Sequence, residues 1–216
     1  MAQAFHPATV LVLKLALVAA LLAALALVLL ARWRMMPPAA GGTVVAQPIP
    51  FSHKHHVGDD GIDCRYCHTS VEKSRFAGLP SSDICLTCHS QLFRDAPLLA
   101  PLHASARTGL PIRWNRVHDL PDFAYFDHRI HINKGVACVE CHGRVDRMPL
   151  MLRTAQLEMQ WCLGCHRNAR QHIRPLADVF LMQDKRPLSA QEITQLNRLL
   201  QIQSTRRLTD CSTCHR

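Results

Sequence analysis

Ten cysteines in a chain of 216 residues fall, without remainder, into five copies of one arrangement. They are CRYCH from Cys64, CLTCH from Cys85, CVECH from Cys138, CLGCH from Cys162 and CSTCH from Cys211. Every pair encloses two residues: Cys64/Cys67, Cys85/Cys88, Cys138/Cys141, Cys162/Cys165 and Cys211/Cys214. Each is followed at once by a histidine, namely His68, His89, His142, His166 or His215. Residues three apart share a helical face, so both sulfurs of a pair project the same way. Two such motifs can pair as a zinc ribbon. A thioredoxin-like site needs one redox pair in a βαβ setting. Five copies with no stray cysteine leave those readings, and a disulfide framework, little room. Cys-x-x-Cys-His is the attachment sequence of c-type haem: two thiols take the porphyrin vinyl groups and the histidine binds iron beneath the ring. The expectation is five covalently bound haem c groups.

That expectation sets the compartment and the kind of fold. Haem attachment of this type takes place on the outer side of the bacterial inner membrane. Residues 10–31 are apolar except for Lys14, and as a helix they would measure about 33 Å against a bilayer core of about 30 Å. Residues 1–34 are therefore read as an uncleaved single-pass anchor, with a cleaved signal and a late site in PPAAGG (37–42) as the competitor. Arg32 and Arg34 beyond the helix favour a cytoplasmic bulk by the positive-inside rule. The attachment chemistry outweighs two arginines and puts the haem domain on the periplasmic side. With about 36 residues per haem the chain has too little polypeptide for an ordinary apolar core. The fold class expected is mainly irregular with short α-helices wrapped around porphyrins, with one N-terminal transmembrane helix.

Formal net charge is +9 with histidine neutral. No Lys/Arg stripe is present and aromatics are 6%, which argues against nucleic acid. A cofactor bearing carboxylates is the better reason for a basic chain.

Nine of the 14 histidines lie outside the motifs. FSHKHHVGDDGIDCRYCH (51–68) has an echo in FDHRIHINKGVACVECH (126–142), aligning Phe51, His53 and His56 with Phe126, His128 and His131. The next motif follows after 21 residues in one copy and 24 in the other. This is an internal duplication with a period of about 75 residues, pseudo-repeats 51–93 and 126–170 each holding two haems. The fifth site (205–216) closes the chain. The whole haem domain runs from 51 to 216, after a proline-rich tether at 35–50.

Phe-x-His-x-x-His ahead of a haem motif resembles the small multihaem cytochromes of the c3 and c7 type. The resemblance implies that His53 completes the haem at Cys64/Cys67 and His128 the one at Cys138/Cys141. His56 and His131 would each reach a neighbouring haem, and histidines three apart do share a face. His55 has no assigned role. The fifth distal ligand is taken as His118, in RVHDLPDF, with His103, His172 and Met148, Met151 or Met159 as alternatives.

PFSHKHHVG, GIDCRYCHTSVEKSRFAGLP, RVHDLPDFAYFDHRIHINKGV, CHGRVDRMPLM, WCLGCHR and CSTCHR together resemble the pentahaem, membrane-anchored cytochrome c component of alternative complex III, over nearly all of residues 49–216. The resemblance implies electron transfer within a membrane quinol-oxidising respiratory complex. Its partners there would be an iron–sulfur subunit, polytopic quinol-binding subunits and a monohaem cytochrome c or terminal oxidase. No catalytic site of its own is evident. The competing classes are a stand-alone quinol dehydrogenase and a multihaem reductase, and the latter needs one iron with an open position. Residues 94–125 read as an irregular connector. Residues 189–203 read as a helix with Ser189 and Glu192 as a capping box and Ile193, Leu196 and Leu200 as an apolar stripe.

Overall fold

The computed structural model describes residues 6–35, 44–183 and 186–215, and the chain divides into two compact units, residues 1–40 and 41–216. The first unit is helix α1 (Pro7–Met35), which opens with proline where no amide is needed and ends on Arg32 and Arg34, complementing its dipole. Its apolar residues run all round the helix, with no polar face, and Leu11 to Leu30 are exposed. At 28 residues the span from Pro7 to Arg34 is long and apolar enough to cross a membrane, a test that a secretion signal also passes. The PPAAGG segment lies outside the described residues.

The second unit has no strand among its described residues, only two isolated bridges, Val44 with Leu152 and Val136 with Ile173. Among the described residues nine short α-helices carry it: α2 (Cys64–Cys67), α3 (Ser82–His89), α4 (Ala100–Thr108), α5 (His128–Asn133), α6 (Cys138–His142), α7 (Met159–Arg167), α8 (Ala190–Leu199), α9 (Thr205–Leu208) and α10 (Cys211–Cys214). Local chemistry starts many of them. Asp63, Asp127, Ser189, Ser204 and Asp210 each accept a bond from an amide of the first turn, a cap worth about 1 kcal/mol. Ser189 and Glu192 form the reciprocal capping box, as their spacing predicts.

Two stretches repeat one design. A single π-helical turn (Lys54–Asp59), α2 and α3 follow one another in the first; α5, α6 and α7 do so in the second. Phe51 meets His53 edge-on at 4.9 Å and His56 at 4.4 Å, while Phe126 meets His128 at 4.7 Å and His131 at 4.5 Å. In each, the helix of the first motif starts at its first cysteine and that of the second motif starts three residues earlier.

Three sequence expectations are modified. The connector 94–125 contains a nine-residue helix, α4, which Pro101 admits near its start and Gly109, at φ 69°, ends. Ser82 and Ser105 bind it to α3 through a 2.6 Å hydroxyl pair. The described part of the tether is held down rather than loose: Asn115 pairs with Gln47 and Ala46, and Ile49 is buried. The helix predicted to reach residue 203 stops at Leu199, and Leu200 packs inside the protein, its side chain beside Gly135.

The apolar core is thin. Val71, Ile132 and Val179 form its central cluster, with Ala77, Cys138 and Phe180 against it, and only Leu102, Ile173 and Val179 are both large and completely buried among the described residues. Close backbone contacts do part of the joining. Gly58, in the turn that carries His56, lies so near Asp146 that a Cβ there would overlap the Asp146 carbonyl oxygen. Gly58→Ala is expected to destabilise the protein by about 1–3 kcal/mol, the usual cost of overpacking, read as a lowered Tm in thermal unfolding. An unchanged Tm would show that this contact does not hold the two turns together.

Candidate cofactor sites

All five Cys-x-x-Cys pairs lie on helical turns. Eight of the cysteines, Cys64, Cys67, Cys85, Cys138, Cys141, Cys162, Cys165 and Cys214, are half-buried. Cys88 and Cys211, expected as haem tethers like the rest, differ from them in standing exposed. Like the other motif helices, α3 and α10 bury none of their residues, and the Cys88 sulfur has the Thr87 hydroxyl as its donor at 3.9 Å. The two thiols of the second motif therefore sit in unlike surroundings, Cys85 sheltered and Cys88 open to solvent. Burial pushes the Cys138 and Cys141 thiols up to about 12 and Cys165 to about 11. Among the described residues no three His, Cys, Asp or Glu side chains gather as an ion cage.

The histidines show a common second contact. Nδ1 of His68 faces the Gly78 carbonyl at 2.7 Å, His89 that of Leu92 at 3.0 Å, His166 that of Leu208 at 2.8 Å and His215 that of Phe123 at 3.0 Å. Outside the motifs, His56 faces the Ser52 carbonyl at 2.9 Å, His128 that of Arg75 at 2.8 Å and His131 that of Asp127 at 2.8 Å. A carbonyl only accepts, so in a neutral ring Nδ1 carries the hydrogen and Nε2 keeps its lone pair for a metal. None of these acceptors has a side-chain signal that sequence reasoning could use. His55 and His172 differ, since carboxylates are their partners: Asp59 and Asp60 for the first, Glu140 at 3.4 Å for the second.

Ring spacing gives an independent test of fit. Two metal–imidazole bonds of about 2.0 Å each, with roughly 1.2 Å from each Nε2 to its ring centre, put axial partners about 6.4 Å apart. His56 and His89 lie 6.1 Å apart, His131 and His166 also 6.1 Å, and His128 and His142 6.4 Å with rings almost parallel at 8°. After burial, His68 is a charged neighbour that lowers the pKa of the His53 imidazole. Burial is the main reason that His53 is pushed down to about 4 and His142 to about 3, with neighbouring histidines adding to both shifts. His118, His128 and His131 are lowered too, again chiefly by burial. Neutral imidazole is the form a metal ligand requires.

His118 is brought against His142, ring centres 4.4 Å apart and tilted by 68°, closer than two axial partners stand. Its Nε2 is buried without a hydrogen-bond partner, as is Nε2 of His103 and Nδ1 of His53. The described ring contact of His215 is Phe123, 6.1 Å away. Exposed apolar side chains stand near the motifs, including Phe76, Leu79, Leu92, Phe93, Phe123 and Met159, and they suit porphyrin faces. The donor set, its tautomers and its spacings therefore fit haem c.

Residues 124–216 match the family model for cytochrome c7 and related cytochrome c. This segment is c7-like. It holds the motifs at Cys138, Cys162 and Cys211, and the cytochrome c family implies covalently bound haem c. Over 102 residues the chain is 39% identical to the menaquinone reductase multiheme cytochrome c subunit of Nitratidesulfovibrio vulgaris strain Hildenborough, covering 47% of this chain and 48% of that protein. The chain thus spans about half the length of the curated relative it matches.

Replacing His131 separates ligand from packing residue. His131→Met is expected to keep a six-coordinate low-spin haem and raise its potential, while His131→Ala is expected to produce a high-spin fraction. Absorption and paramagnetic resonance spectra check this, and an unchanged spectrum for His131→Ala would remove His131 from the ligand set.

Proposed function

We propose that the chain is a pentahaem electron-transfer subunit of a membrane quinol-oxidising respiratory complex, of the alternative complex III type. The observation that carries the reading is the set of three imidazole pairs at axial spacing beside Cys-x-x-Cys-His helices, two of them repeated in the same order. Haem c supplies one-electron exchange between ferric and ferrous iron. Cys64 with Cys67, Cys85 with Cys88, Cys138 with Cys141, Cys162 with Cys165 and Cys211 with Cys214 tether five groups. His68, His89, His142, His166 and His215 bind from below; His56 pairs with His89, His131 with His166 and His128 with His142, and His53 serves His68. His118 remains the candidate for the distal position at the fifth site, where its approach to His142 would have to open on haem binding.

Saturated irons serve conduction, because a six-coordinate centre offers no position for substrate. Helix α1 anchors the chain with its N-terminus inside, and residues 51–216 lie on the periplasmic side. Quinol-binding and iron–sulfur subunits would supply electrons, and a monohaem cytochrome c or terminal oxidase would take them. The likeness to a menaquinone reductase subunit supports a second reading in which electrons flow toward the quinone pool.

Two measurements test this. Intact mass of the purified protein is expected to exceed that of the chain by five haems, and a smaller excess would sink the pentahaem assignment. Tagged protein isolated gently from membranes is expected to bring polytopic and iron–sulfur partners and to be reduced by a menaquinol analogue. Reduction by periplasmic donors, followed by electron delivery to menaquinone, would establish the second direction instead. A chain that isolates alone would count against membership of a complex.

A further inference from the structure

Arg75 combines two features that the tethering scheme does not use. Its carbonyl oxygen accepts twice from one residue, from the His128 amide at 3.1 Å and from His128 Nδ1 at 2.8 Å. The neighbouring Ser74 carbonyl takes the Arg129 amide at 3.3 Å, so residues 74–75 of the first repeat clamp the start of α5 in the second. The side chain is unusual as well. The guanidinium lies over Phe76 and over Tyr125, 4.9 Å from each ring centre, and Nε is buried with no hydrogen-bond partner. Arg75 takes part in none of the ion pairs found among the described residues.

A guanidinium is always charged and offers five donors in a rigid fork that matches a carboxylate. Aromatic faces hold such a cation in place but do not satisfy its N–H groups, and a buried donor without an acceptor costs free energy. The Arg75 backbone is bonded to His128, so an acceptor at this guanidinium would come from the neighbourhood of that histidine. Haem carries two propionate carboxylates, and no described Asp or Glu fills the role.

We infer that Arg75 is a positioning residue that pairs with a propionate of the haem ligated by His128, holding that haem and raising its reduction potential. The inference rests on the haem reading above. Positive charge next to a propionate offsets negative charge that would otherwise favour the ferric state, so its loss lowers the potential. Substituting the side chain leaves the backbone carbonyl in place, and His128 keeps its tautomer.

The test uses the full-length holoprotein, with haem content fixed first by intact mass. Wild type lacking haem would remove the haem reading itself, whatever the role of Arg75. With haem present, Arg75→Gln is expected to retain all haems in low-spin form while one midpoint falls by about tenfold in the one-electron equilibrium, about 59 mV. The propionate bending band in resonance Raman spectra is expected to shift with it. Arg75→Lys, which keeps the charge but not the fork, is expected to recover most of the potential. Unchanged midpoints in fully loaded Arg75→Gln would overturn the proposal, as would a fall in Arg75→Lys equal to that in Arg75→Gln. If Arg75→Gln does not load haem, Arg75→Lys decides alone: near wild-type midpoints support the pairing, and a tenfold fall refutes it.

Discussion

An imidazole has two nitrogens and can offer a metal only the one that lacks a proton. Fixing which nitrogen that is takes a hydrogen-bond acceptor behind the ring, and the path of this chain is set by the delivery of those acceptors. Some are local: Ser52 serves His56 and Asp127 serves His131, each four residues away along one helical turn. Others come from far off. Leu208 reaches His166 across 42 residues, Arg75 reaches His128 across 53 and Phe123 reaches His215 across 92. A backbone carbonyl has no charge to titrate and no rotamer to lose, so it is a firm acceptor in a buried setting. Segments that look irregular between the motif helices are irregular because each must turn one peptide unit toward a ring.

The thin apolar core has the same origin. On the proposed reading, porphyrins would occupy the space that side chains fill in an ordinary domain of this length, and the polypeptide is left to make small bridging clusters. Val71, Ile132 and Val179 come from the loop after α2, from α5 and from the turn after Leu176, so this cluster ties the two similar halves together. Gly135, at φ 78°, ends α5 with the backbone of Arg174 and the side chain of Leu200 pressed against it, which leaves no room for a Cβ. Such contacts fix the halves where apolar area alone would not.

Much of this was legible in residue order because the chemistry has short-range spacing. Two thiols and an imidazole must share a helical turn, and His-x-x-His must share a face, so both appear as fixed gaps. The same holds for Ser189 and Glu192. What was hidden depends on the third dimension. No gap in the sequence says that Gly78 or Phe123 will lend its carbonyl, since a backbone acceptor has no residue type. Identical spacing likewise hid the difference between Cys85, sheltered, and Cys88, open to solvent, because exposure depends on what packs around α3. Helix α4 lies in a stretch that reads as an irregular connector, yet the first turn of a helix tolerates the proline it contains. The approach of His118 to His142 could not be foreseen, because it joins a loop to a motif helix with no periodic relation between them.

The fifth motif shows how far the duplicated design extends. Its helix α10 begins at the first cysteine behind an aspartate cap, as α2 does behind Asp63, and its histidine amide closes the turn on the Cys211 carbonyl as that of His68 does on Cys64. By this local measure it is a site of the first kind in each pair. It lacks the preceding Phe-x-His-x-x-His, and the fold compensates by bringing it to the segment just ahead of another copy of that pattern. Tyr125 donates its amide to the Cys214 carbonyl at 2.7 Å, and Phe123 supplies the acceptor for His215. Residues 123–128 thus support the fifth site with their first half and carry His128 with their second. Arg75 lies over Tyr125 and holds His128, so one short segment links the two repeats and the terminal motif. A chain of cofactors needs its members fixed relative to one another, and here the fixing is done by backbone bonds that pass from one site to the next.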